Sequence, residues 1–256
     1  MASSMTTNNN SWNVNFLNGR PEAGDPKRAL VILNQPFSFP LLQRLWSSTQ
    51  WHCCADGGAN RLFDSLDPQD RIKFVPHLIK GDLDSIRSDV REFYKVLDVT
   101  IVQDHDQDAT DLMKCVSALE EKEKLEHSQQ YHIILLGGLT GRLDQTIHTL
   151  SYLHKLRKTR KRVFAVTDEN IGWVLDSGEH RIEIDHNLLG QTCGLLPVGI
   201  DHTVLSTSGL RWNLTEHVSS FDGLVSTSNH LVPDEKVVWI KTSKPIWWTV
   251  ELRMAT

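Results

Sequence analysis

Three short segments gather carboxylates, two of them beside glycine, in a manner that suits phosphate chemistry. They are Ala55-Asp56-Gly57-Gly58-Ala59-Asn60, Gly81-Asp82-Leu83-Asp84-Ser85 and Asp104-His105-Asp106-Gln107-Asp108-Ala109-Thr110-Asp111. A single Asp at the end of a strand ordinarily caps the next helix or shapes a turn, and Asp64 and Asp89 suit that role. Capping accounts for one Asp per turn and does not explain the Asp82/Asp84 pair. Like charges packed together cost free energy unless a cation sits among them, and Mg²⁺ takes a few carboxylate oxygens plus water and substrate phosphate. Gly57, Gly58 and Gly81 leave room for a close backbone approach to such a ligand.

A fourth segment, Leu136-Gly137-Gly138-Leu139-Thr140-Gly141-Arg142-Leu143-Asp144-Gln145, runs from an apolar stretch through a glycine-rich turn into a helical pattern. Backbone N–H groups there suit an anion, and Arg142 could neutralise phosphate oxygens. The segment matches neither G-x-G-x-x-G nor G-x-x-x-x-G-K-[ST], so the dinucleotide fingerprint and the P-loop are both absent.

These segments need elements that bring them together. Between residues 29 and 168, apolar runs at 29–33, 51–55, 77–79, 99–102, 131–136 and 163–167 alternate with helical spacing. Leu112, Cys115, Val116 and Leu119 make one apolar helix face, and Leu143, Ile147, Leu150 and Leu153 another. This texture predicts an α/β domain with a parallel sheet, in which ligands bind in the crevice beyond the carboxyl ends of the strands. From residue 169 to 256, short β-rich runs at 172–175, 180–185, 192–198, 203–207, 223–228, 236–241 and 247–252 follow one another without helical pattern. They predict a C-terminal antiparallel β-sandwich, with Trp239, Trp247 and Trp248 in its core. Residues 1–28, rich in Ser, Thr and Asn, predict a disordered tail that can be removed without loss.

The bulk numbers narrow the function classes. A formal charge of −5 gives no general attraction to nucleic acid or to anionic lipid. Phosphate would therefore need local donors or a metal. Cys53, Cys54, Cys115 and Cys193 form no C-x-x-C pair, which reads as a reducing compartment rather than a disulfide framework or zinc site. No run approaches a membrane span, and the N-terminal segment contains no signal-peptide core. Cytoplasmic residence is the expectation.

Taken together, the motifs resemble the thiamin pyrophosphokinase family. The resemblance is carried by Leu33-Asn34-Gln35, by the acidic and glycine-rich segments above, and in the second half by Gly209-Leu210-Arg211-Trp212-Asn213-Leu214 and Ser226-Thr227-Ser228-Asn229. It covers the chain from about residue 29 onward, and implies a nucleotide-binding α/β domain followed by a β-sandwich, assembled as a homodimer with active sites between subunits. It implies Mg²⁺-dependent transfer of the pyrophosphoryl group of ATP to the hydroxyethyl oxygen of thiamin, giving thiamin diphosphate and AMP. By the same resemblance, Asp56, Asp82, Asp84 and Asp108 bind metal. Gln35, Asp56, Thr110, Asp111, Arg142, Asp144 and Gln145 surround the nucleotide. Asp82, Asp84 and Arg142 carry the catalysis, with either Asp82 or Asp84 as a proton acceptor. Trp212, Asn213, Ser226, Ser228 and Asn229 meet thiamin, whose cationic thiazolium suits an aromatic face. Two other readings fit the carboxylates without thiamin: a metal-dependent phosphotransferase or hydrolase with another acceptor, and a binding protein without turnover.

Overall fold

A computed structural model of the chain describes residues 10–20 and 24–253. The fold is mixed α/β, and its contacts divide it into two units. Of the described residues, one gathers those within Phe16–Thr149 with Lys158–Asp168; the other gathers residues 10–15 with Leu150–Arg157 and residues 169–253. The chain thus passes from one unit to the other at Asp168/Glu169, while two further segments join the C-terminal unit from outside it.

The first strand, β1 (Asn10–Trp12), belongs to the C-terminal unit. The other unit contains β2 (Arg28–Ile32), α1 (Phe39–Ser47), β3 (Trp51–Ala55), α2 (Gly58–Asp64), β4 (Leu78–Gly81), α3 (Ser88–Val96), β5 (Thr100–Gln103), α4 (Asp111–Leu125), β6 (His132–Leu136), the first half of α5 (Leu143–Leu156), and β7 (Val163–Val166). Its strands lie in the order β7-β6-β2-β3-β4-β5, and every neighbouring pair is parallel. Every residue of β2, β3 and β7 is buried, the pattern of parallel strands covered on both faces. Helix α1 starts where Ser38 accepts from the Leu41 N–H and Pro40 occupies the first turn. Helix α4 starts at Thr110, which accepts from the Met113 N–H, and it buries Leu112, Cys115, Val116 and Leu119, the face read from spacing. Because β3 and β6 flank β2 on opposite sides, the chain direction across the sheet reverses there, and the segments after β2 and β6 open at that switch point.

Burial also makes this unit sensitive to acid. His52 on β3 stacks on Trp46 with ring centroids 3.7 Å apart, and its Nε2 lies 3.0 Å from Thr49 Oγ1. Burial first, and the neighbouring His77 second, push its pKa down to about 4. The folded state therefore holds this imidazole neutral, and the unfolded chain takes up the proton first as pH falls below about 6.5. Stability is fully present above that value and is lost as pH falls toward 4. We expect denaturant melts to show about 2 kcal/mol less stability at pH 5 than at pH 7 from this group. His132, also pushed down to about 4 by burial, acts in the same direction. A flat profile over that interval would contradict this reading.

In the second unit, β8 (Asn170–Leu175), β9 (Gly178–Glu183), β10 (Leu189–Leu196), β11 (Thr203–Ser208), β12 (His217–Ser219), β13 (Ser226–His230), β14 (Val237–Thr242) and β15 (Ile246–Leu252) follow one another without a helix. Strands in the order β13-β10-β15-β8 pair antiparallel. The order β1-β9-β14-β11-β12 makes a second group, antiparallel apart from one pair. That exception is β1, which runs parallel to β9. Trp173, Trp247 and Trp248 are fully buried; Trp239, expected in the core, is only half-buried.

The expectation of a disordered tail over residues 1–28 is corrected for the described part of it; residues 1–9 and 21–23 lie outside the described residues. Trp12 is 5% exposed, and Val14, Phe16 and Leu17 are also buried. Trp12 stacks on Trp173 with centroids 5.7 Å apart, and its Nε1–H donates to His180 Nδ1 at 3.0 Å. Phe16, which already belongs to the α/β unit, packs there on Phe164 with centroids 5.1 Å apart. The physical reason is that four apolar side chains stand among the polar residues, Trp12 at the end of a short strand, Phe16 and Leu17 in a single 3-10 turn over Asn15–Asn18 and Val14 between them, and each is buried.

Candidate active site

The end of β3 places Asp56 in an unusual backbone position, with φ of +38°. Its N–H donates to the Lys80 carbonyl at 3.0 Å, continuing the β3–β4 pairing. Its carboxylate accepts from the Ser85 N–H at 2.9 Å and the Ile86 N–H at 3.1 Å, so it holds the turn after β4 from within. Asp56 is 1% exposed. The two strand ends meet this closely because residue 81 is glycine: a Cβ there would lie 2.6 Å from Asp56 Cβ and 2.9 Å from Asp111 Oδ1. Asp82 donates its N–H to Asp111 Oδ1 at 3.3 Å. As a result, one carboxylate oxygen from each of Asp56, Asp82 and Asp111 lies within 4.8 Å of the others.

This grouping is electrostatically costly without a cation. Burial raises the pKa of Asp56; the Ser85 and Ile86 N–H groups pull it down, and Asp111 pushes it up again. Burial likewise raises Asp111, with Asp82 adding to the rise and Lys114 opposing it. Lys114 is the nearby basic group, with Nζ 3.6 Å from Asp111 Oδ1, and it also donates to the Asp104 carbonyl at 2.9 Å. One lysine facing three carboxylates leaves net negative charge in a half-buried site. Hard oxygen donors with that charge fit Mg²⁺.

A cleft of about 680 Å³ opens beside the carboxylates, lined by Asp82, Asp84, Ser85, Asp111 and Lys114 together with Gln35, Thr110, Arg142, Gln145 and others. The carboxylates singled out in the sequence fall into three groups. Asp82 and Asp56 join the close triple, and so does Asp111, which sequence reading had placed with the nucleotide rather than the metal. Asp84 lines the cleft outside the triple; its carboxylate accepts from the Ser85 hydroxyl at 2.8 Å, which holds its pKa below the usual range. Asp108 is exposed and also outside the triple, donating its N–H to Asp106 at 2.9 Å.

The remaining nucleotide candidates divide similarly. Gln35 accepts from the Gly138 N–H at 2.7 Å and the Thr140 hydroxyl at 3.1 Å, so it braces the glycine-rich turn whose Gly137, Gly138 and Gly141 all have positive φ. Thr110 lines the cleft while capping α4. Arg142 lines the cleft but pairs with Asp144 at 2.6 Å, both groups exposed. The polar cleft residues that received no role from the sequence include Asn34, Arg61, Lys114 and His148. Asn34 sits inside a quoted motif and Arg61 directly follows one, while Lys114 and His148 had no signal of their own.

In the other unit, Trp212 is 52% exposed, which rules out core packing for it. Its indole lies 5.1 Å from the His230 ring, with the Arg211 guanidinium 4.8 Å over it. Asn229 is buried and holds the Trp212 backbone from both sides, accepting from its N–H at 3.2 Å and donating to its carbonyl at 2.8 Å. Asn213 is exposed, and its amide is engaged with local backbone, accepting from the Leu210 N–H at 3.1 Å and donating to the Leu210 carbonyl at 2.8 Å. Ser226 is half-buried and Ser228 exposed.

Two family models match the chain. The thiamin pyrophosphokinase catalytic domain matches residues 42–165, and the thiamin pyrophosphokinase vitamin B1 binding domain matches residues 179–247. The chain belongs to the thiamin pyrophosphokinase family. The close carboxylate triple lies inside the match to the family's catalytic domain, and Trp212, Asn213, Ser226, Ser228 and Asn229 lie inside the match to its vitamin B1 binding domain. Thiamine pyrophosphokinase 1 of Oryza sativa subsp. japonica is 39% identical over 246 residues, covering 91% of this chain and 91% of its own. Thiamine pyrophosphokinase 3 of the same organism is 38% identical over 235 residues, covering 88% and 87%. The crystal structure of yeast thiamin pyrophosphokinase superposes with a TM-score of 0.85 at 29% identity, covering 98% of this chain and 94% of that one.

Proposed function

We propose that the chain transfers the pyrophosphoryl group of ATP to the hydroxyethyl oxygen of thiamin, giving thiamin diphosphate and AMP. The observation that carries the proposal is the gathering of Asp56, Asp82 and Asp111, all within the match to the family's catalytic domain, beside a cleft of about 680 Å³, large enough for a nucleotide. These three residues would hold Mg²⁺. Bound there, Mg²⁺ would draw charge from the phosphoryl oxygens and orient them for attack. The protein's own groups do the rest. Gln35 fixes the turn that carries Gly138 and Thr140; Thr110, Arg142 and Gln145 border the nucleotide, and Asp84 faces the cleft outside the metal set. Attack on the β-phosphorus leaves AMP, and positioning with in-place charge stabilisation supplies most of the acceleration. Asp108 and Asp144 stay at the edge of this arrangement. The same reading makes the α/β unit a nucleotide-binding domain and the β-rich unit a thiamin-binding sandwich, in a homodimer with active sites at the subunit interface, in the cytoplasm. No helix among the described residues is long and apolar enough to cross a membrane.

Incubating the protein with ATP, thiamin and Mg²⁺ and identifying the products tests the proposal. Thiamin diphosphate with equal AMP is expected, and ADP, inorganic phosphate or no turnover would reject it. Within this reading Trp212 stacks on the thiamin ring, while Asn213 and Asn229 shape the turn that presents it. Trp212→Ala should raise the thiamin KM by a factor equivalent to about 1–3 kcal/mol, leaving the ATP KM and the melting temperature nearly unchanged. A stable variant with an unaltered thiamin KM would remove the stacking role.

A further inference from the structure

The cations bordering the cleft are not equally free to meet a phosphate. Arg142 gives Nη2 to Asp144 at 2.6 Å, and Lys114 is shared between the Asp104 carbonyl and Asp111. Arg61, from α2, lines the same cleft and differs in its constraint. Its Nε–H donates to Asn34 Oδ1 at 3.0 Å, which fixes the plane of the guanidinium through its inner nitrogen. Asp64, the acid nearest to it along the helix, gives both oxygens to Arg87 at 2.7 Å each. Arg61 therefore keeps its two outer nitrogens available. Asn34 lies close against residue 57, where a Cβ would come within 2.3 Å of its Nδ2 and 3.1 Å of Ser85 Cβ. Gly57 thus lets Asn34 settle beside Ser85, at the end of the cleft lined by Asp82 and Asp84.

We infer that Arg61 is a catalytic residue of this cleft, binding the β- and γ-phosphate oxygens of ATP through its outer nitrogens, and that Asn34 positions it. The inference rests on the pyrophosphoryl transfer proposed above. A guanidinium oriented through Nε presents Nη1 and Nη2 as a planar fork, which matches two phosphate oxygens and which a lysine cannot imitate. It sits at the carboxylate end of the cleft, where the metal-bound phosphates would lie and where negative charge spreads during transfer. The α-phosphate departs with AMP and is not assigned to Arg61.

The test compares wild-type protein with Arg61→Ala, Arg61→Lys and Asn34→Ala in three measurements: calorimetric binding of ATP, inorganic pyrophosphate and AMP with Mg²⁺ present, kcat for thiamin diphosphate formation, and melting temperature. Arg61→Ala should bind ATP and pyrophosphate at least about 10-fold more weakly, bind AMP as wild type does, and lose about 10²-fold or more in kcat, with melting unchanged. Arg61→Lys should restore little of the kcat. Asn34→Ala should give an intermediate loss, and adding it to Arg61→Ala should cost nothing further, because the two residues act as one unit. Wild-type protein that makes thiamin diphosphate, alongside an Arg61→Ala variant with unaltered kcat and ATP affinity, would overturn the inference and leave the function standing. Equal weakening of ATP and AMP would overturn it as well. Wild-type protein that binds ATP but forms no thiamin diphosphate would instead remove the function, and the ATP-against-AMP comparison would still decide whether Arg61 holds the outer phosphates.

Discussion

Asp82→Asn and Asp111→Asn are each expected to lower kcat by about 10²-fold or more, because each removes one charge from the group that would hold the metal and stabilise phosphoryl charge. Both substitutions keep the shape of the side chain and an oxygen for the hydrogen bonds made by the Asp84 and Asp82 N–H groups. Melting in metal-free buffer should therefore hold or rise slightly, since a member of a repulsive cluster is gone, while the upward shift in melting produced by Mg²⁺ with ATP should shrink. Asp84→Asn should cost less, because that carboxylate lies outside the close triple. Asp56→Asn is a poorer probe: the Asp56 carboxylate also anchors the Ser85 and Ile86 N–H groups, so its loss disturbs the turn itself. Equal losses in Asp82→Asn and Asp84→Asn, or unchanged turnover in Asp82→Asn and Asp111→Asn, would displace the metal from the triple.

Removing residues 1–26 should prevent the chain from folding stably. The deletion takes away Trp12, Val14, Phe16 and Leu17, all buried. Burying one such side chain is worth roughly 1.5–3 kcal/mol, and a domain has a net stability of only about 5–15 kcal/mol. Four together approach the whole margin. Loss of β1 would also bare the edge of β9, a template for aggregation. Trp12→Ala alone should cost about 3–5 kcal/mol and leave the His180 Nδ1 bond unmade. Thermal melts of the shortened and substituted chains measure this; a shortened chain with wild-type melting would mean that the N-terminal residues contribute nothing to the folded units.

The contrast between these two predictions shows where the sequence was readable. The βα alternation, the turn from helical to strand texture near residue 168, and the face of α4 follow from periodicity, which burial enforces directly. The acidic segments were readable as a group because capping cannot explain so many carboxylates at strand ends. Which of them converge was not readable. Asp108 and Asp111 stand three residues apart, and only the start of α4 at Asp111, capped by Thr110, turns one of them toward Asp82 while the other stays on the exposed loop. The roles of Asn213, Asn229 and Asn34 were hidden for a related reason. A carboxamide suits a ligand and a backbone turn equally well, and only the hydrogen bonds of the folded chain tell which it serves. The N-terminal strand was not legible because β1 spans only Asn10–Trp12 and carries one apolar residue, too few for any period to show.

The most direct test of the central claim follows a label. With ATP carrying ³²P in the γ-phosphate, thiamin and Mg²⁺, transfer of an intact pyrophosphoryl group places the label in thiamin diphosphate in one-to-one proportion with unlabelled AMP, and the Asp82→Asn and Asp111→Asn variants should reduce both products together. Label appearing in inorganic phosphate or in a thiamin monophosphate, with ADP as the nucleotide product, would contradict the account.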